Sequence, residues 1–137
     1  IMGLPGAGKT YLAERLKKLL EECGKTVSWL NADEVRRHYN DWDFSREGRI
    51  RQSLRMLKFA LKSQANYAIC DFVAPLPEMR HNFKADWTIW MDTIKEGQYE
   101  DTNKIFTPPI QYQYCIKEKN ADKYAESIAR KIINGSI

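Results

Sequence analysis

Gly3-Leu4-Pro5-Gly6-Ala7-Gly8-Lys9-Thr10 fits the pattern G-x-x-x-x-G-K-[ST], and its reading decides the fold. Glycines here let successive backbone N–H groups curl around phosphate oxygens without Cβ clashes. Lys9 adds a point charge at the β- and γ-phosphates of a nucleotide, and the Thr10 hydroxyl suits Mg²⁺. Downstream, Leu12, Ala13, Leu16, Leu19, Leu20 and Cys23 fall on one stripe of a helix over 9–23, with Gly24 at its C-cap. That helix aims its N-terminus at the same anion. Upstream stand only Ile1 and Met2, where a strand has about five residues. They are expected to be the tail of a strand truncated at its start. The competing reading is a chance glycine-rich turn, but a strand remnant and an amphipathic helix on either side are the context a nucleotide loop needs. Gly3, Pro5, Gly6, Ala7, Gly8, Lys9 and Thr10 are therefore the expected ATP-binding set.

Working outward, strands alternate with helices. Thr26 to Leu30 reads as a strand, Asn31 to Tyr39 as a short helix, and Ser45 as the N-cap of a helix reaching about Gln64. Ile50, Leu54, Leu57 and Leu61 mark the expected buried face of that helix. Tyr67 to Phe72 is a strand, Glu78 to Phe83 a helical turn and Trp87 to Met91 a strand. Thr93 to Pro109 is polar without clear period, as a lid, binding loop or disordered segment would be. Tyr112 to Lys117 and Asp122 to Ile133 close the chain as strand and helix. The pattern predicts an α/β fold: a three-layer α-β-α sandwich with a mostly parallel sheet, of the P-loop kinase type. One domain is expected over 1–137, with a lid at about 93–109. Right-handed crossovers bring the strand C-termini to one edge, where ligands bind.

Composition agrees with a globular domain: 137 residues, 43% hydrophobic and 29% charged. No apolar run approaches the roughly 18 residues of a membrane span, and the first residues show no charged n-region followed by an apolar h-region, so a secretory signal is not expected here. Three cysteines without C-x-x-C spacing argue against a disulfide framework or a zinc site and for a reducing, cytoplasmic setting. A net charge of +4 suits a small anionic ligand. With 18 acids spread throughout, nucleic acid is not the expected partner.

Asn31-Ala32-Asp33-Glu34-Val35-Arg36 follows the second strand and so shares the loop's edge of the sheet. An acid there can take a proton from an attacking hydroxyl, and Arg36 can hold an anionic substrate. Equally, Asn31 or Asp33 is a helix N-cap and Arg36 a solvated arginine; the spacing leaves both readings open. Asp71 and Asp92 each end an apolar strand, as a Mg²⁺-binding aspartate would, or cap a loop. Asp71 is the better metal candidate, together with Thr10. Cys70 reads as a buried small residue rather than a nucleophile, His38 and His81 lack metal spacing, and Trp87 and Trp90 read as packing residues.

The phosphate loop, Asn31-Ala32-Asp33-Glu34-Val35-Arg36 and Phe44-Ser45-Arg46-Glu47-Gly48-Arg49 together resemble the adenylylsulfate (APS) kinase family, whose pattern reads GLPGxGKST, DGDxxR and FSxxDR. The likeness continues weakly through Arg55, Pro75, Arg80 and Phe106-Thr107. The resemblance implies an ATP- and Mg²⁺-dependent kinase acting on the 3′-hydroxyl of adenosine 5′-phosphosulfate. It makes Asp33 the general base near that hydroxyl, with Lys9 the other catalytic residue, places Arg36 and Arg49 on the phosphosulfate, and sets Phe44 and Phe106 around the adenine. Core packing is the alternative for each phenylalanine. Homodimers are common in the family. Departures stand at Asn31 and Gly48, where the family has Asp, at Gln52, where it has a substrate-binding asparagine, and at Ala74, where it has a serine. The lid is short, and Glu96, Glu100 and Asp101 would repel a phosphosulfate. A kinase of the same architecture with another hydroxyl acceptor is therefore the rival expectation. A non-catalytic nucleotide- or nucleic-acid-binding module, supported only by the basic residues between Arg46 and Lys62, is the other.

Overall fold

The computed structural model describes residues 1–135. Its elements are α1 (Lys9–Glu22), β1 (Val27–Asn31), α2 (Ala32–Tyr39), α3 (Arg46–Lys62), β2 (Tyr67–Asp71), α4 (Pro77–Phe83), β3 (Ile89–Met91), α5 (Glu100–Ile105), β4 (Tyr114–Ile116) and α6 (Ala121–Ile133).

β1 pairs parallel with β2, and β3 parallel with β4. Ile1 and Met2 join the two pairs. The Ile1 amine donates to the Cys70 carbonyl at 2.8 Å, and the Phe72 N–H donates to the Ile1 carbonyl at 3.1 Å. On the other side the Met2 N–H reaches the Ile89 carbonyl at 2.9 Å, and the Met91 N–H reaches the Met2 carbonyl at 2.8 Å. Flanking one residue's two backbone groups in this way is the pattern of a parallel pair. The strand order is thus β1, β2, Ile1–Met2, β3, β4, and the strands end along one edge.

Alternation along the strands divides the core between two faces. On one, Ile69, Ile89, Met91 and Ile116 meet Leu12, Leu16 and Leu20 of α1 and Ile128 of α6. On the other, Met2, Cys70 and Phe72 meet Val35 of α2 and Met56 of α3. This is the expected three-layer sandwich with a parallel sheet.

Local chemistry explains the helix ends. Ser45 caps α3 by accepting from the Gly48 N–H at 3.2 Å, and Asn31, not Asp33, caps α2 by accepting from the Glu34 N–H at 3.1 Å. After α1, Gly24 has φ +82. Its N–H and that of Lys25 return to the carbonyls of Glu21 and Leu20, a Schellman ending that favours glycine.

Three expectations need correction. The buried face of α3 is Gly48, Arg49, Gln52, Ser53 and Met56, whereas Leu54 is 50% and Leu61 76% exposed. Polar groups turned inward have rotated the helix away from its leucine stripe. Cys23 is exposed because it lies at the C-cap of α1, past the buried stripe. The 93–109 segment contains α5, a six-residue helix too short to show a period. Strand bounds also move by a few residues: β1 runs on to Asn31, while β3 and β4 are three residues each.

Candidate active site

The phosphate loop leaves the sheet at Met2 and turns into α1. Gly3 (φ +150) lies so close to β3 that a Cβ would stand 2.6 Å from the Met91 carbonyl oxygen, so only glycine fits. Leu4 and Ala7 are buried and anchor the loop. α1 begins at Gly8 without a side-chain cap, although α2, α3 and α6 each have one. Its first N–H groups are therefore free for anion oxygens. Lys9 Nζ donates to the Gly3 and Leu4 carbonyls, both at 3.0 Å. Burial pushes its ammonium down to about 8, against partial support from the charges of Asp71 and Asp33.

Beside the loop, the ends of β1 and β2 meet in register, Asn31 opposite Asp71. Asp71 is only 3% exposed. Asn31 Nδ2 donates to both its carboxylate oxygens, at 3.1 and 3.2 Å, and lies 3.4 Å from Thr10 Oγ1. The indole N–H of Trp29 donates to Asp71 Oδ2 at 2.6 Å. Asn31 thereby links the loop threonine, the β2 aspartate and the start of α2. Asp33 stands exposed in the first turn of α2, near enough for its charge to act on Lys9. Asp92, the other strand-end acid, is bound by its backbone N–H to the Ile116 carbonyl at 2.8 Å.

Arg36 and Arg49 are each 5% exposed. Arg36 Nη1 donates to the carbonyls of Asp41 and Asp43 at 3.0 and 3.2 Å. Arg49 Nε donates to the Phe44 carbonyl at 2.8 Å. Both guanidiniums lie over the Phe44 ring, 4.3 and 5.4 Å from its centroid, leaving the phenylalanine exposed. Arg51 and Arg55 clamp Asp41 from α3, at 2.8 and 2.7 Å. Gly48 makes the arrangement possible: a Cβ there would lie 2.2 Å from the Asp43 carbonyl oxygen. Gln52 is buried, donates to the Ala32 carbonyl at 2.8 Å and leaves its Oε1 without a partner among the described residues. Phe106 is half-buried against the second core face.

The 93–109 segment lies across both halves. Thr93 Oγ1 donates to the Ala7 carbonyl at 2.7 Å, and Gly97 abuts Pro5, whose carbonyl oxygen would be 3.0 Å from an added Cβ. Thr102 Oγ1 accepts from Arg49 Nη2 at 3.0 Å. Arg80 Nη2 donates to the Thr107 carbonyl at 2.7 Å. The segment thus touches the phosphate loop at one end and the arginine cluster at the other.

Trp29, Thr102 and Gly97 escaped the sequence reading. Trp29 alone left a signal: two residues before Asn31 on a strand, it must share Asn31's face. Cys70 is buried, its thiol pushed up to about 11 by burial, which fits a packing residue. Trp87 and Trp90 are half-buried, Trp90 against Tyr112 with ring centroids 5.6 Å apart.

A parallel sheet, a glycine loop opening onto an uncapped helix and a buried aspartate on the neighbouring strand define an α/β protein of the P-loop kinase type. Within that class, the chain belongs to the adenylylsulphate kinase family, whose model matches residues 1–99. It is 37% identical over 84 residues to a probable adenylyl-sulfate kinase of Aeropyrum pernix, covering 59% of this chain and 46% of that protein. It is 35% identical over 60 residues to the cytidine diphosphoramidate kinase of Campylobacter jejuni, covering 44% of this chain and 35% of that protein. The chain spans less than half the length of these curated relatives. In fold, the Mycobacterium tuberculosis APS kinase in complex with AMPPNP and APS matches with TM-score 0.78 at 18% identity, covering 96% of this chain and 94% of that one.

Proposed function

We propose that the protein is an ATP-dependent phosphotransferase that phosphorylates the 3′-hydroxyl of adenosine 5′-phosphosulfate. The observation that carries this reading is the adjacency of Lys9 on the phosphate loop to an exposed carboxylate, Asp33, on the next strand's helix. ATP lies along the loop with its phosphates on the N–H groups of α1 and on Lys9. The donor set suits Mg²⁺: Thr10 offers a hydroxyl and Asp71 a carboxylate, both hard oxygen ligands. A magnesium ion that keeps waters and nucleotide oxygens wants only one or two protein ligands. Thr10 and Asp71 would hold it, directly or through water, and bound there it supplies charge neutralisation on the phosphates.

Asp33 orients the acceptor hydroxyl and takes its proton as the oxygen attacks the γ-phosphorus in line. Arg36 and Arg49 supply positive charge to the acceptor's anionic tail, with Gln52 behind them. Phe44 offers its open ring face to the adenine, and Phe106 closes the other side. The lid excludes water that would otherwise hydrolyse ATP. This reading carries with it a cytoplasmic setting and a homodimer, the latter decided by sedimentation. No helix among the described residues is long and apolar enough to cross a membrane.

A second acceptor is favoured by a specific observation: the cytidine diphosphoramidate kinase relative, taken with the acidic lid residues Glu96, Glu100 and Asp101. ADP release measured against adenosine 5′-phosphosulfate, cytidine diphosphoramidate and a panel of nucleosides and sugars separates the two. Stimulation by adenosine 5′-phosphosulfate alone is the expected result. Stimulation by another acceptor only moves the assignment to the rival.

A further inference from the structure

We propose that Trp29 is a positioning residue of the nucleotide site, its indole N–H fixing the Asp71 carboxylate for the magnesium ion that accompanies the nucleotide. The inference rests on the phosphotransferase reading and adds to it a residue from outside the loop and the acceptor pocket.

The strand register brings the partners together. Trp29 and Asn31 lie two apart on β1, opposite Ile69 and Asp71 on β2, so all four side chains project from one face. That face packs on α1, and the half-buried indole sits against its core. The N–H is held by the packed ring. It meets Asp71 Oδ2 at 2.6 Å. Asn31 Nδ2 grips the same carboxylate at 3.1 and 3.2 Å and also approaches Thr10 Oγ1 at 3.4 Å. Two donors from different side chains remove the free rotation of the carboxylate.

The chemistry of those donors matters more than their number. An indole N–H donates and cannot accept or ionise, and an amide is neutral. Together they orient Asp71 without cancelling its charge. Among the described residues no lysine or arginine forms an ion pair with Asp71. The carboxylate is thus buried and held by neutral donors beside the Thr10 hydroxyl, the geometry of a cation ligand. Groups that orient a metal-binding carboxylate in this way typically alter metal affinity about 10–100-fold when removed.

The test is binding of AMPPNP by titration calorimetry at a series of Mg²⁺ concentrations and in EDTA, for the unaltered protein, Trp29→Phe, Asp71→Asn and the double variant. Trp29→Phe keeps a ring and loses the N–H. It should raise the Mg²⁺ concentration for half-maximal enhancement of AMPPNP binding by about tenfold or more and leave affinity in EDTA unchanged. The double variant should be no worse than Asp71→Asn alone. An unchanged Mg²⁺ midpoint, an equal loss with and without Mg²⁺, or additive losses overturns the proposal. The indole ¹H–¹⁵N resonance of Trp29 in the unaltered protein gives a readout that no folding defect can mimic. It should move when Mg²⁺ joins bound AMPPNP, and a resonance indifferent to Mg²⁺ overturns the proposal. Failure of the unaltered protein to bind AMPPNP at all overturns the phosphotransferase reading as well, whereas failure confined to the Mg²⁺ arms overturns only the role of Trp29.

Discussion

Burial holds the Lys9 ammonium at about 8, against an ordinary value of 10.5, with Asp71 and Asp33 opposing the shift. Between those two values the folded chain carries less of the Lys9 proton than the unfolded chain does. Unfolding then takes up a proton, so this lysine makes stability rise with pH across the window and costs stability below it. Urea midpoints followed from pH 8 to 10.5 should show that rise in the unaltered protein and lack it in Lys9→Met. Nucleotide affinity should move the other way, falling above pH 8 as the cation is lost, and binding measured over the same range checks it. At the neighbouring residue, Asp33→Asn should lower kcat by a factor of ~10² or more while ATP binding stays largely intact, as expected of a general base. Steady-state kinetics beside equilibrium binding tests this, and full kcat in the variant would remove Asp33 from the mechanism.

Helix α3 and the loop before it work as one element. Gly48 lets residues 41–45 settle on the helix backbone, Asp41 is clamped by Arg51 and Arg55, and Phe44 ends on top of two buried guanidiniums. Gly48→Ala puts a methyl 2.2 Å from the Asp43 carbonyl oxygen. Displacing the loop should cost about 1–3 kcal/mol, more than the roughly 1 kcal/mol that alanine returns through helix propensity. The expected outcome is a lower Tm and a raised KM for the acceptor with little change in KM for ATP. This element also shows why the sequence misled. Ile50, Leu54, Leu57 and Leu61 pointed to one buried face, yet the helix turns Arg49 and Gln52 inward and leaves Leu54 and Leu61 outside. Periodicity detects burial of apolar groups and cannot see a face chosen for its polar ones.

At the scale of the sheet, Ile1 and Met2 join the two pairs of strands, and Met2 is nearly fully buried between the layers. Met2→Ala should cost about 2–5 kcal/mol and lower the melting midpoint of α-helix and tryptophan signals together, since the layers share that residue. Much of this architecture was legible from local chemistry: the phosphate loop, the α1 stripe, the Ser45 cap and the alternation of strand and helix all lie within a few residues of their cause. The bond from Trp29 to Asp71 spans 42 residues, and that from Arg49 to Thr102 spans 53. Such contacts come from strand register and from the packing of the 93–109 segment on α3, which no short window contains. The three thiols, finally, are unequally placed: Cys70 is buried and hard to ionise, burial raises Cys115, and Cys23 is exposed at the far end of α1. A maleimide dye should couple to Cys23 first. The 14-residue helix sets it about 20 Å from Lys9 at the end of the phosphate loop, which provides a tether for distance measurements without chemical change at that edge of the sheet.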